Sequence, residues 1–187
     1  MLTIRPLIPG ESLPREIDAR VLCSEAVSVR VGHSGYTLTY LPTGSTRWKV
    51  FDPTEPACEA MAGLTPGAFI LGAYRDGALA GMAVAANRRS GWCEVLDLRV
   101  DAACRQQGIG RMLLEACMRG AAEADRAGLR MLVSDANPAM CQFAEHCGFR
   151  LEGIDRLLWA MTPEERIKPM ARRACALIFY RQKERNP

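Results

Sequence analysis

The residues best placed to do chemistry lie in one run: Leu98-Arg99-Val100-Asp101-Ala102-Ala103-Cys104-Arg105-Gln106-Gln107-Gly108-Ile109-Gly110-Arg111-Met112-Leu113-Leu114. Val95 to Val100 is apolar enough to predict a buried strand, and the run that follows Gly110 predicts an amphipathic helix. A helix start leaves N–H groups without intrahelical partners and carries partial positive charge. An anion, above all a pyrophosphate, is the natural ligand of such a turn. Gly108 and Gly110 lack a Cβ, so the anion can approach the main chain closely. Arg105 and Arg111 add positive charge on either side. Upstream, Glu94 and Asp97 are carboxylates that could accept a proton. On a regular strand, residues three apart point to opposite faces, so both could serve one substrate only across a bulge.

Two common phosphate loops are excluded. No G-x-x-x-x-G-K-[ST] run occurs, and after Gly108-Ile109-Gly110 the third glycine of G-x-G-x-x-G is replaced by Leu113. What remains is Arg105-x-x-Gly108-x-Gly110.

The elements around this run are those of a globular chain. Its 187 residues suit one domain with a sizeable core, and 49% hydrophobic with 24% charged residues fits a globular composition. The net charge of +3 is not gathered into a basic tract, so nucleic acid is not implied. The eight cysteines contain no Cys-x-x-Cys pair, so a zinc site is not expected. Cys93, Cys117, Cys141 and Cys147 fall in strand or helix patterns and read as reduced core thiols. Met1 to Pro9 lacks the apolar region of a signal peptide, and no apolar run is long enough to span a membrane. The chain is therefore expected to be cytoplasmic, with no metal and no membrane association.

In chain order, Leu2–Leu7 predicts a strand and Glu11–Leu22 a weak helix. Val27–Val31 and Tyr36–Leu41 predict a hairpin around Gly35. Pro42–Gly67 predicts a loop with short helical turns, including Glu55–Met61. Ala68–Tyr74, a tight turn at Asp76-Gly77, Leu79–Ala86, a second turn and Trp92–Val100 predict an antiparallel meander. Ile109–Ala127 predicts the principal helix, stopped by Gly128. Leu129–Ser134 predicts a strand. Asn137 then caps a second helix with Pro138 in its first turn, Met140, Phe143, Ala144 and Cys147 as its buried stripe, and Gly148 at its end. Phe149–Leu158 and Ala174–Tyr180 predict two late strands. His146 reads as a residue at a helix C-terminus, Arg172-Arg173 as a solvated turn, and Trp48, Phe51 and Trp92 as core packing or a pocket wall. Asp52, Glu55 and Glu59 read as an acidic loop or a receptor for a cationic substrate.

The Arg105-x-x-Gly108-x-Gly110 turn, in its strand–turn–helix setting, resembles the acetyl-CoA signature of the GNAT superfamily of N-acetyltransferases. The run Asn137 to Phe149 resembles the second motif of that superfamily, an Asn-opened helix ending in Gly148-Phe149. Cys141-Gln142-Phe143, Cys147-Gly148-Phe149 and the following Gly153-Ile154-Asp155 resemble streptothricin acetyltransferases. The likeness covers residues 68 to 158 well and the first 67 loosely. It implies an α/β (α+β) fold: a single GNAT-like domain with a mixed, mostly antiparallel central sheet, splayed at the cofactor site and flanked by helices. Residues 1–67 would form the substrate side, 68–158 the acetyl-CoA-binding core and 159–187 the C-terminal strands.

The resemblance further implies that main-chain groups of Leu98, Arg99 and Val100 hold the pantetheine arm, and that Arg105, Gln106, Gln107, Gly108, Ile109, Gly110 and Arg111 hold the pyrophosphate. Asn137 and Phe143 complete the cofactor set. The spacing of Glu94 before Gly108 resembles that of the strand glutamate used as base in histone-type members, and makes Glu94 the favoured base, directly or through water. Asp97 matches an acidic position of streptothricin-type members and reads equally as an ion pair. The Leu98 N–H is the expected oxyanion donor. Many members carry a Tyr acid four residues before the Gly of Gly-Phe; here that residue is Ala144. Cys141, His146, Tyr180 or a solvent proton could serve instead. The implied activity is direct transfer of an acetyl group from acetyl-CoA to a primary amine of a small molecule, in the manner of a streptothricin- or aminoglycoside-directed resistance enzyme. A protein N-terminal or lysine acceptor, and a non-catalytic acyl-CoA-binding module, are the alternatives. Homodimer formation is left open.

Overall fold

The computed structural model describes residues 1–7, 17–158 and 174–183. Among them are nine strands and three α-helices, an α/β architecture in which seven strands form a mixed sheet and two a separate hairpin. The chain gathers into two compact units. One comprises Met1–Arg20, Val50–Arg130 and the residues from Gln182 onward; the other comprises Val21–Lys49 and Met131–Arg181.

The first unit is an antiparallel run of four strands: β1 (Leu2–Leu7), β4 (Ala68–Arg75), β5 (Ala78–Asn87) and β6 (Cys93–Val100), paired in that order. Asp76 and Gly77 both take positive φ, 49° and 85°, the geometry that a two-residue turn between twisted strands requires. Each face of the run is covered by one helix. Helix α1 (Glu55–Met61) buries Ala57 and Ala60, and Ala60 packs with Ile70, Met82, Val84 and Leu96. Helix α2 (Ile109–Glu123) buries Ile109, Leu113, Leu114, Ala116, Cys117 and Ala121. It lies so close that a Cβ on Gly81 would come within 3.3 Å of Ile109 and 3.4 Å of Leu113. Gly120 of α2 rests on the Phe69 ring in the same way: a Cβ there would lie 3.1 Å from the ring.

Helix α2 ends four residues earlier than its apolar pattern predicts. Asp125 takes φ 51°, and the N–H groups of Asp125 and Arg126 close on the carbonyls of Ala122 and Ala121. This is the hydrogen-bond pattern of a left-handed helix stop, supplied by Asp rather than Gly. Gly128 instead opens β7 (Gly128–Ser134).

In the second unit, β2 (Val21–Gly32) and β3 (Gly35–Lys49) form a hairpin much longer than predicted. Val21 and Leu22 are strand, not helix; residues 11–16 of the expected helix lie outside the described residues. Pro42–Lys49 is also strand, not loop. The pairing shifts between Cys23 and Glu25, and Pro42, which has no N–H to give a ladder, stands opposite Glu25 at that irregularity. Helix α3 (Pro138–His146) is capped by Asn137, whose Oδ1 accepts from Met140 N–H at 3.1 Å. Strands β8 (Arg150–Asp155) and β9 (Ala176–Gln182) pair antiparallel. The expected turn at Arg172-Arg173 lies outside the described residues.

The described cysteines carry no disulfide, and Cys93, Cys117, Cys141 and Cys147 are buried. Burial pushes the Cys93 thiol up to about 11. No helix among the described residues is long and apolar enough to cross a membrane.

Candidate active site

Strand β6 and the turn after it bring together most of the residues expected to act. Gly108 is the N-cap of α2, at φ 77° and ψ −1°, and a Cβ built on it would meet nothing within 4 Å. The ground above the first turn of α2 is therefore open, and Ile109, Gly110 and Arg111 begin the helix beneath it. Gln106 also takes a positive φ, 58°. The turn is thus held in a shape that glycine tolerates and other residues resist.

What holds it is Arg105. Its Nε donates to the Val100 carbonyl at 3.0 Å, and its two terminal nitrogens donate to the carbonyls of Arg20 and Asp18. Expected to lend charge directly to a phosphate, its guanidinium is engaged by main-chain oxygens and braces the turn from behind. Asp101 works from the other side: its carboxylate accepts from the Ala103 and Asp18 N–H groups at 3.0 and 3.3 Å. Sequence reasoning missed this Asp18–Arg20 segment, because no local pattern announces a coil that docks over eighty residues away. Gln107 is fixed by Arg75, which donates to its Oε1.

The expectation that Glu94 and Asp97 point to opposite faces is overturned. On β5 their register partners are Ala86 and Val84, two residues apart and therefore on one face. Leu96 has no partner: the register shifts between Val84 and Ala85, so β6 carries one extra residue there. Such a bulge inverts the alternation beyond it. Glu94, Asp97 and Arg99, the last opposite Met82, consequently share the α1 side of the sheet.

The two carboxylates have different company. Glu94 is 9% exposed. Its Oε2 accepts from Arg88 Nε at 2.9 Å, and its Oε1 is 3.7 Å from an Arg130 terminal nitrogen. Both of its oxygens face guanidinium groups. Among the described residues Asp97 has one cation, Arg99, whose Nε lies 2.7 Å from Oδ2. Burial pushes the Asp97 carboxyl above its ordinary range, against the pull of Arg99 and a hydrogen bond from the Leu98 N–H.

In the second unit, Asn137 is 8% exposed and spends its Oδ1 on the helix cap, while Phe143 is half-buried on α3. Ala144 is fully buried. Cys141 gives its thiol to the Ser134 carbonyl at 3.7 Å, and burial pushes it up to about 12, so it is a poor proton donor. His146 sits 2.7 Å from the Gln142 carbonyl through Nδ1, in the last turn of α3 as expected. Tyr40 donates to Glu145 at 2.6 Å, and burial first, then that carboxylate, raises its phenol well above the ordinary range. Trp48 is 60% exposed and is not a core residue. Among the described residues no group of three or more His, Cys, Asp or Glu is placed to hold a metal ion.

The profile of the acetyltransferase (GNAT) family matches residues 38–149, more than half of the chain. The fold is similar over its full length to that of a candidate streptothricin acetyltransferase from Bacillus anthracis, solved with acetyl coenzyme A. That likeness has a TM-score of 0.77 and 22% identity, and covers 98% of each chain. A nourseothricin acetyltransferase is similar with a TM-score of 0.74 and 24% identity, covering 97% of this chain and 98% of that one. The ribosomal-protein-S18-alanine N-acetyltransferase of Escherichia coli has a TM-score of 0.52 at 21% identity and covers 65% of this chain and 73% of its own. No curated protein matches the chain by sequence.

Proposed function

Because the chain belongs to the acetyltransferase (GNAT) family, we propose that it transfers an acetyl group from acetyl-CoA directly to a primary amine of a small molecule, with streptothricin-like antibiotics as the leading acceptor class. The observation that carries the reading is the open, left-handed Gly108 cap at the start of α2. Main-chain N–H groups from Gln106 to Arg111 would grip the pyrophosphate, and the Cβ-free approach at Gly108 fits that group. Main-chain groups of Leu98, Arg99 and Val100 would carry the pantetheine arm. When bound, acetyl-CoA supplies the acyl group and a thiolate leaving group.

The residues of this chain then have divided duties. The acceptor must lose a proton before its nitrogen attacks. Asp97 is the better base of the two carboxylates, since burial favours its protonated form and it has one cationic partner where Glu94 has two. Glu94 holds Arg88 and Arg130. Ala144 offers no hydroxyl, so solvent would supply the proton needed by the sulfur that leaves as the amide forms. The small-molecule reading is supported by the structures named for streptothricin and nourseothricin, which align with nearly all of this chain; the ribosomal-protein enzyme aligns with two thirds.

A second reading, an acyl-CoA-binding module without catalysis, is favoured by Ala144 alone. One experiment separates them. Acetyl-CoA at about 100 times its Kd should stabilise the fold by about 2.7 kcal/mol, and thiol release should appear with streptothricin-type amines and not with peptides. Stabilisation without release from any amine supports the binding module; release with peptides alone supports a protein acceptor; no stabilisation overturns both.

A further inference from the structure

Arg99 touches two things that the proposed reaction must coordinate. Its Nε pairs with Asp97 Oδ2 at 2.7 Å, and its NH2 donates to the Phe51 carbonyl at 3.3 Å. Phe51 belongs to the short segment that leads through the exposed Asp52 into α1. A guanidinium is a rigid planar fork, so fixing one nitrogen fixes the direction of the others. While the Phe51 carbonyl is in place, Nε stays aimed at Asp97.

Few other charges can intervene. On the face shared with Asp97, Glu94 is occupied by Arg88 and Arg130. The β5 positions opposite are Met82, Val84 and Ala86. Helix α1 turns Ala57 and Ala60 inward, leaving Glu55 and Glu59 exposed. The Leu98 N–H also favours the ionised Asp97 carboxylate. Among the described residues Arg99 is the one cation in ion-pair contact with Asp97.

We propose that Arg99 is a positioning residue through which the seating of residues 50–54 controls when Asp97 accepts a proton. The proposal rests on the reading of Asp97 as base. With the segment seated, the guanidinium neutralises the carboxylate and keeps it ionised. An amine that lifts the Phe51 carbonyl frees Arg99 to swing away. The carboxylate, 13% exposed, is then a buried anion without its cation and has a stronger demand for a proton. That proton moves from the ammonium nitrogen to Asp97: an N–H bond breaks, an O–H bond forms, and the nitrogen lone pair is left free to attack.

The test needs no acceptor. The Asp97 carboxyl is titrated by carbon-13 NMR in the full-length protein, its signal identified by loss in Asp97→Asn. Arg99→Gln should raise the midpoint by about one pH unit or more, and Arg99→Lys, which keeps the charge, by less. Phe51→Gly, which loosens the segment without touching either side chain, should also raise it, and should add little in the Arg99→Gln background. An unmoved midpoint in Arg99→Gln, or a Phe51→Gly effect that adds in full, overturns the proposal. Should Arg99→Gln fail to fold, an unmoved midpoint in both Arg99→Lys and Phe51→Gly overturns it. Failure of the functional reading looks different: the wild type would show no stabilisation by acetyl-CoA, whatever the titration gives.

Discussion

Strand β6 ends in a turn whose proposed role belongs to the main chain, while a few residues earlier the same strand presents the side chains proposed to act. In the turn, Gly108 supplies space and a left-handed backbone, and Arg105 serves by holding carbonyls still. Any residue type except proline could provide those N–H groups if the shape were kept. On the strand the reverse holds: the shape is ordinary apart from one bulge, and identity decides everything. Glu94 and Asp97 are both carboxylates on one face, yet one is clamped by two arginines and the other leans on one. A main-chain site is vulnerable to changes of conformation, and a side-chain site to changes of chemistry.

Three substitutions and one matched control probe that division. The largest effect belongs to Asp97→Asn, which keeps the shape and removes the base: kcat/KM for the acceptor amine should fall by about 10²–10⁴-fold with acetyl-CoA affinity unchanged by calorimetry. Full activity would move the chemistry off this strand. Next is Gly108→Val. The strained φ costs about 1–2 kcal/mol, and the side chain fills the open ground above α2, so acetyl-CoA affinity should drop on the order of tenfold or more, about 1.4 kcal/mol. Gly77→Val is the matched control, since Gly77 has φ 85° and equally open surroundings but lies in the β4–β5 turn; it should carry the strain and keep the affinity. Equal losses from both would reduce the Gly108 result to general destabilisation. The smallest effect on catalysis belongs to Glu94→Gln. Two partly buried guanidinium groups lose their counter-charge, so urea unfolding should report about 1–3 kcal/mol less stability, with kcat/KM changed only a few-fold. A loss matching that of Asp97→Asn would return the base to Glu94.

The turn is legible because its signals are local. A strand pattern, two glycines and an apolar stripe sit within twenty residues, and helix α1 at Glu55–Met61 and the Asn137 cap of α3 are legible for the same reason. What could not be read depends on partners distant in the chain. The bulge at Leu96 exists only in register with β5. The engagement of Arg105 depends on Asp18 and Arg20, and the clamp on Glu94 on Arg130. The hairpin runs to Lys49 because Pro42 falls where pairing already shifts, which no composition rule reveals. Helix α2 stops at a left-handed Asp125, where only a glycine would have flagged the stop.

The unpaired Leu96 sets a constraint of parity on the family of sequences that could keep this arrangement. Many residues could stand at that position, but the count between Glu94 and Asp97 cannot drift by one. A deletion there would behave like a frameshift in three dimensions, sending Asp97 and Arg99 across the sheet toward Ile109 and Leu113 while every downstream letter stayed the same.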